Sequence, residues 1–278
     1  MKIEHDSAIG HRSSVIGTTI TFQEKKLFYR VSGSGRNVIL VHGFGETGSV
    51  WDQQVAFLQS SWRVIVPDLP GSGLSEEVPD MSMEGLAEAI HSIIHEENIH
   101  ACPVIGHSMG GYVALALAEH YPNHVSALGL FHSTAFADNE EKKATRRKGI
   151  GFIREHGSTE FLRTTSPNLF SGKTREKNPG LVTEFVGGLS NFSPTALVSY
   201  YDAMMQRPDR TEVLKNSDLP VLFVMGEHDT AVPLQDSLKL CYLPEKAYIH
   251  ILHESGHMGM LEELEKSNGI LDNFLSDT

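Results

Sequence analysis

The 278-residue chain predicts an α/β fold, a mostly parallel central sheet flanked by helices, with a strand-free helical block inserted late in the order. Three observations carry that expectation. Short apolar runs of strand length alternate with amphipathic helical stretches, the rhythm of strand–helix–strand crossovers. One such run, Ala101-Cys102-Pro103-Val104-Ile105, breaks at Gly106-His107-Ser108-Met109-Gly110, and a helical pattern begins at once. From about Ser133 to Pro208 the strands stop and helical periodicity alone continues.

Taken in order, Met1 to Ser14 is polar and reads as a loose arm. Ile16 to Phe22 and Lys26 to Val31 alternate apolar and polar residues around Gln23-Glu24-Lys25, which predicts a hairpin with both strands at a sheet edge. Val38-Ile39-Leu40-Val41 is apolar throughout, as a parallel strand buried on both faces must be, and it ends in the glycine-rich His42-Gly43-Phe44-Gly45-Glu46-Thr47-Gly48. A helix from about Ser49 to Leu58 and a buried strand Arg63 to Pro67 follow. Asp68 to Ser75 is a loop by composition, and Met83 to Glu97 a helix with Leu86, Ala89, Ile90, Ile93 and Ile94 on one side. After the Ser108 turn comes a small-residue helix ending near Tyr121-Pro122, then the strand Val125 to Phe131.

The helical block divides into Asn139 to His156, Ser158 to Leu169, Pro179 to Leu189 and Pro194 to Met205, separated by Gly157, Gly172 and the polar stretch around Asn191. Strands resume at Pro220 to Met225, which runs into Gly226-Glu227-His228-Asp229. The last strand, Ala247 to Leu252, gives way to Gly256-His257-Met258 and a helix from about Leu261 to Phe274. This order predicts one core, residues 1–132 and 209–278, and an inserted helical cap, 133–208.

Charge and cysteine content narrow the function classes. Lys+Arg 23 against Asp+Glu 35 leaves a net charge of -12, which argues against nucleic-acid and anionic-membrane partners. Only Cys102 and Cys241 occur, so no disulfide framework is expected and a reducing compartment fits. No run has signal-peptide or membrane-spanning character, and a cytoplasmic protein with a small-molecule partner is the expectation.

The chemistry is expected where polar residues stand just beyond apolar strands. Gly-x-Ser-x-Gly between a strand and a helix forces a sharp reversal that presents Ser108 in a strained backbone conformation beside the first N–H groups of the helix. In a parallel sheet the loops at the strands' carboxyl ends share one edge, so Ser108, Asp229 and His257 can meet there. Ser108 is then the nucleophile, His257 its base, and Asp229 the group that orients the imidazole. The backbone N–H groups of Phe44 and Met109 are expected to receive a tetrahedral oxyanion. Such chemistry needs no cofactor and no metal.

His42-Gly43-Phe44-Gly45, Asp68 to Ser75, Gly106 to Gly111, Gly226 to Asp229 and Gly256-His257-Met258 together resemble the α/β-hydrolase fold family, in its branch with a helical cap after the sixth strand. The resemblance runs from about Ile16 to the last helix. It implies a serine hydrolase cleaving a carboxylic ester through an acyl-enzyme. Carbon–carbon bond hydrolysis by the same triad is the alternative reaction, and a triad-bearing ligand-binding signalling protein the alternative class. Serine at 108 departs from the aspartate nucleophile of epoxide hydrolases and haloalkane dehalogenases. Glu227 and Asp236 follow the same strand as Asp229, which is favoured by the family spacing.

Phe44, Trp51, Phe131, Phe136, Phe170 and Met258 are candidates for the substrate pocket, with core packing as their other reading. His253-Glu254-Ser255-Gly256-His257 matches a zinc-binding pattern that requires a helix, but Ser255-Gly256 after a strand predicts a loop. His91 and His95, four apart among glutamates, read as a solvated helix face. Lys142, Lys143, Arg146, Arg147 and Lys148 form a cationic run that also reads as a solvated face, with attraction of an anionic substrate as its alternative.

Overall fold

The computed structural model describes residues 16–189 and 192–278, so the Met1 to Ser14 arm and the separator around Asn191 lie outside the described residues. The strands are β1 (Ile16–Phe22), β2 (Lys25–Ser32), β3 (Arg36–Val41), β4 (Trp62–Pro67), β5 (Cys102–His107), β6 (Val125–Phe131), β7 (Val221–Gly226) and β8 (Ala247–Leu252). They form one sheet in the order β1-β2-β4-β3-β5-β6-β7-β8. From β4 to β8 every pairing is parallel, while β1–β2 and β2–β4 are antiparallel.

The predicted hairpin forms, and both residues of its turn, Gln23 and Glu24, take positive φ. That paired left-handed geometry matches the twist of the flanking strands. Of these two strands only β1 is at the edge, however. Ser32 and Arg30 of β2 pair with β4, so β2 is an interior strand, because its other side completes the hydrogen-bond ladder of β4.

The central strands bury both faces, and side-chain alternation divides their residues between two cores. Val104 of β5 and Phe223 of β7 join a cluster with α2 (Met83–Glu96) and α3 (Met109–His120). Ile105 and Leu222, their neighbours in sequence, join a second cluster with α1 (Asp52–Leu58) and the last helix, Leu264–Asp277. Continuous apolar strands are what such a two-sided sheet needs.

Between β6 and β7 lie α4 (Glu140–His156), α5 (Ser158–Thr165), α6 (Gly172–Lys177), α7 (Pro179–Gly188), α8 (Pro194–Gln206) and α9 (Thr211–Lys215). The sequence pattern missed α6 and α9, which are too short to show periodicity. The two ends of this segment are stapled: Arg210 N–H donates to Ala135 O at 2.8 Å, and Arg207 Nη2 to Phe136 O at 2.9 Å. α10 (Leu234–Leu238) follows β7, and α11 (Gly259–Glu262) and α12 (Leu264–Asp277) end the chain. Among the described residues no helix is long and apolar enough to cross a membrane.

Candidate active site

Five adjacent strands, β3, β5, β6, β7 and β8, end on the same edge, and each is followed by a residue of the candidate site. Ser108 comes directly after β5 with φ 51° and ψ −116°, left-handed backbone that a non-glycine residue adopts only under constraint. The constraint is visible. A Cβ at Gly106 would lie 2.2 Å from the Gly110 carbonyl carbon, and one at Gly110 would lie 2.4 Å from Val41 O, so the turn closes only with glycine at both places. Ser108 N–H donates to Phe131 O at 2.9 Å, and Ser133 Oγ donates to Ser108 O at 2.7 Å.

Asp229 and His257 are in direct contact, His257 Nδ1 lying 2.7 Å from Asp229 Oδ2. The other carboxylate oxygen accepts the N–H groups of Ala231 and Val232, each at 2.8 Å. Burial by itself raises the Asp229 carboxyl, but the His257 charge and the hydrogen bonds from His132 and His257 outweigh it and hold the group well below the usual carboxylate range. For His257 burial pulls downward, and the charge and hydrogen bond of Asp229, followed by the charge of Glu46, raise the imidazole above its ordinary value. An ionised Asp229 requires a proton on Nδ1 of His257, which leaves Nε2 to accept one. Ser108 and His257 line a common cavity of about 500 Å³.

His132, directly after β6, supplies a second donor to the same acid: its Nδ1 lies 3.1 Å from Asp229 Oδ2, and its Nε2 accepts the Gly259 N–H at 3.2 Å. Burial lowers its pKa to about 4, against the pull of Asp229, so the ring is neutral and donates through Nδ1. The sequence held one signal for His132, its position at the carboxyl end of a buried strand.

Glu46 is the other buried acid of the site. Its Oε2 accepts the Gly43 N–H at 2.7 Å and lies 2.9 Å from His107 Nδ1, while His107 Nε2 faces His257 O at 3.0 Å. Burial raises the Glu46 carboxyl, but the charge and hydrogen bond of His107 and the Gly43 N–H lower it overall. Gly43 N–H is engaged with Glu46, whereas the next amide, Phe44 N–H, has no hydrogen-bond acceptor among the described residues. Met109 opens α3, where an N–H has no intrahelical acceptor.

The α/β-hydrolase fold family model matches residues 36–264. The chain belongs to the α/β-hydrolase fold family. A pimeloyl-[acyl-carrier protein] methyl ester esterase of Vibrio cholerae is 26% identical over 244 residues, covering 86% of this chain and 94% of that protein. A 2-hydroxy-6-oxononadienedioate/2-hydroxy-6-oxononatrienedioate hydrolase of a Pseudomonas species is 25% identical over 268 residues, covering 88% and 90%. Among solved structures, a thermophilic esterase from Thermogutta terrifontis superposes with a TM-score of 0.87 at 26% identity, covering 95% of this chain and 99% of that one.

In this α/β-hydrolase the pocket expectations need correcting. Trp51, Phe131, Phe170 and Met258 are at most 2% exposed and belong to the core cluster around α1 and α12. Phe136 packs against the other cluster. Of the six candidates only Phe44 lines the cavity with Ser108 and His257, where Tyr112, Leu169, Tyr201, Met204 and the segment 231–233 complete the aromatic and apolar wall. The reason is that Tyr201 and Met204 stand on α8, whose packing against α4 and the loops after β3 and β4 periodicity does not specify. Phe44 stacks on Tyr201 with ring centroids 4.3 Å apart, joining the glycine-rich loop to the helical segment.

The remaining acids after β7 have other partners: Glu227 meets exposed His253 at 2.6 Å, and Asp236 meets Lys239 at 2.7 Å. His253 and His257 stand on a loop after β8, not on a helix. His91 stacks on Tyr121 at 3.8 Å, so it is a packed ring where a solvated one is expected. His132, Asp229 and His257 have ligand atoms within 4.8 Å of one another and form the one group among the described residues with the spacing for a metal. Both imidazoles already direct Nδ1 at the same Asp229 Oδ2, so these ligand atoms are engaged with one another. Of the cationic run, Lys142 and Arg146 line the cavity, so that face is only partly a solvated one.

Proposed function

We propose that this α/β-hydrolase is a serine hydrolase that cleaves a carboxylic ester through an acyl-enzyme, with Ser108 as nucleophile, His257 as general base and Asp229 as its orienting acid. The observation that carries the reading is the Asp229–His257 contact beside a cavity lined by both His257 and Ser108. Ser108 Oγ attacks the carbonyl carbon as His257 Nε2 takes its proton, and the oxyanion is received by the N–H groups of Phe44 and Met109. Collapse expels the alkoxide, which takes the proton from His257. Water, deprotonated by the same ring, then releases the acid and restores Ser108. The esterase relatives named above support this reading, and we read residues 133–208 as the cap that roofs the site.

The test is twofold. Short-chain esters should be turned over without added metal or cofactor, and an active-site phosphonate should add one equivalent to the protein. Ser108→Ala should abolish both, with turnover falling on the order of a millionfold. Labelling that survives the substitution would sink the nucleophile assignment. The dienedioate hydrolase relative favours carbon–carbon bond hydrolysis as the second reading. Turnover of a ring-fission diketone with no turnover of esters would select it.

A further inference from the structure

The cavity that holds Ser108 and His257 has one wall built from the start of α4, where Lys142, Thr145 and Arg146 share a helix face. The charge on that wall is not balanced. Asp138, its carboxylate fully buried, takes hydrogen bonds from Arg146 through both Nε and Nη2 and a contact from Arg207 Nη1 at 2.9 Å. Two guanidiniums therefore share one carboxylate. Arg207 spends its remaining donors on Met204 O and Phe136 O and stacks over Tyr112 at 3.8 Å, and Met204 and Tyr112 are themselves lining residues.

Lys142, half-buried, has no carboxylate partner among the described residues. Its neighbours in the same basic run differ: Lys143 and Arg147 both meet Glu140, at 3.3 and 3.6 Å. Acids also line the cavity, but Glu46 is engaged by His107 and Asp236 by Lys239. Glu141 is the exception, and it is exposed. In and behind this wall Lys142, Arg146 and Arg207 thus stand against the carboxylates of Asp138 and Glu141, in a protein whose net charge is -12. A bulk field of that sign repels anions, so the local excess serves a group held inside the cavity rather than long-range steering. A volume of about 500 Å³ admits a small molecule.

We propose that Lys142 and Arg146 form an anion subsite, and that the substrate is a small ester carrying a carboxylate in addition to its scissile carbonyl. The inference rests on the serine-hydrolase reading for the reaction but not for the binding. The carboxylate has two sources, the acyl half or the alcohol half. Monomethyl half-esters of C4 to C8 dicarboxylic acids place it in the acyl half, and acetyl esters of hydroxy acids place it in the alcohol half. Each is compared with its uncharged analogue of the same length.

The subsite predicts at least a tenfold higher kcat/KM for the charged member of one series. The ratio should fall towards unity in Lys142→Met, invert in Lys142→Glu and shrink in 0.5 M NaCl. Lys148→Met, on the same helix but off the cavity, should leave both the ratio and the basal rate unchanged. In parallel, calorimetric titration of the Ser108→Ala protein with the same half-esters reads binding without chemistry. Turnover that ignores the carboxylate, or a ratio that survives both Lys142 substitutions, overturns the subsite and leaves the hydrolase standing. Tighter binding of the half-ester, lost in Lys142→Glu, with no ester turned over by the parent protein, supports the subsite and overturns the reaction instead.

Discussion

Glu46 and His107 meet at 2.9 Å with side chains 3% and 0% exposed, and through this contact one carboxylate ties together three loops of the site. Glu46 holds the glycine-rich loop by the Gly43 N–H, and it holds the residue before Ser108 by the imidazole. His107 passes the link to the backbone of His257. Both nitrogens of His107 face acceptors, whereas His42 and His132 each face one acceptor and one N–H donor.

Replacing Glu46 by Gln keeps the size but loses the charge opposite His107. A loop amide misplaced by a fraction of an ångström acts on the transition state more than on ground-state binding. The expected result is a kcat loss of about ten- to a hundredfold with little change in KM, measured on the best ester. A fall in kcat/KM matched by a rise in KM, with kcat intact, would mean that Glu46 shapes binding instead.

The pH profile follows from His257. In the proposed mechanism its imidazole must be unprotonated to act as base, and its pKa is raised, so the acid limb of kcat/KM should have its midpoint above about 6.5, the ordinary imidazole value. His132→Leu removes a hydrogen bond from Asp229 and leaves more of that charge to act on His257. The midpoint should then move to still higher pH. A downward shift would show that His132 does not compete for the carboxylate. Stability has the opposite sense for the acid: the depressed Asp229 and Glu46 contribute above about pH 4 and lose that contribution as pH falls through their lower folded values.

Gly106→Ala places a methyl 2.2 Å from backbone that cannot rotate away. The elbow must open to admit it. A loss of at least 1–3 kcal/mol is expected, a scale typical of overpacking, read from the shift in the urea midpoint, together with slower phosphonate labelling of Ser108. Unchanged labelling and stability would show that the strained turn tolerates a side chain.

Lining and core residues should separate cleanly. Tyr201→Ala or Met204→Ala opens the wall, and for a substrate two methylenes longer the preference in kcat/KM should move by about 1–3 kcal/mol. Phe170→Ala, 2% exposed and packed in the core cluster around α1 and α12, edge-on to Phe185, should leave the length profile alone and cost about 3–5 kcal/mol of stability. A length profile that follows Phe170 would return the pocket to the core side.

The elements that specify the fold are those whose signal is local. Val38 to Val41 and Val221 to Met225 are apolar without interruption because both faces of the sheet are covered, and that requirement is written into consecutive residues. Gly106 and Gly110 are likewise legible, since the backbone they flank excludes any Cβ. Asp229 and His257 stand out because each follows a strand whose end lies on the common edge.

What only the tertiary structure decided depends on contacts between segments far apart in the chain. Glu46 and His107 are 61 positions apart, His132 and Asp229 97, and nothing local in either pair announces a partner. The cavity wall is the clearest case. Trp51 and Phe170 have the composition of pocket residues, yet burial against α1 and α12 claims them, while Tyr201 and Lys142 reach the site through the docking of α8 and α4. Periodicity sets which face of a helix is apolar. Where that helix lies over the sheet, and which side chains face the reacting groups, is set by packing between elements that the order of residues does not bring together.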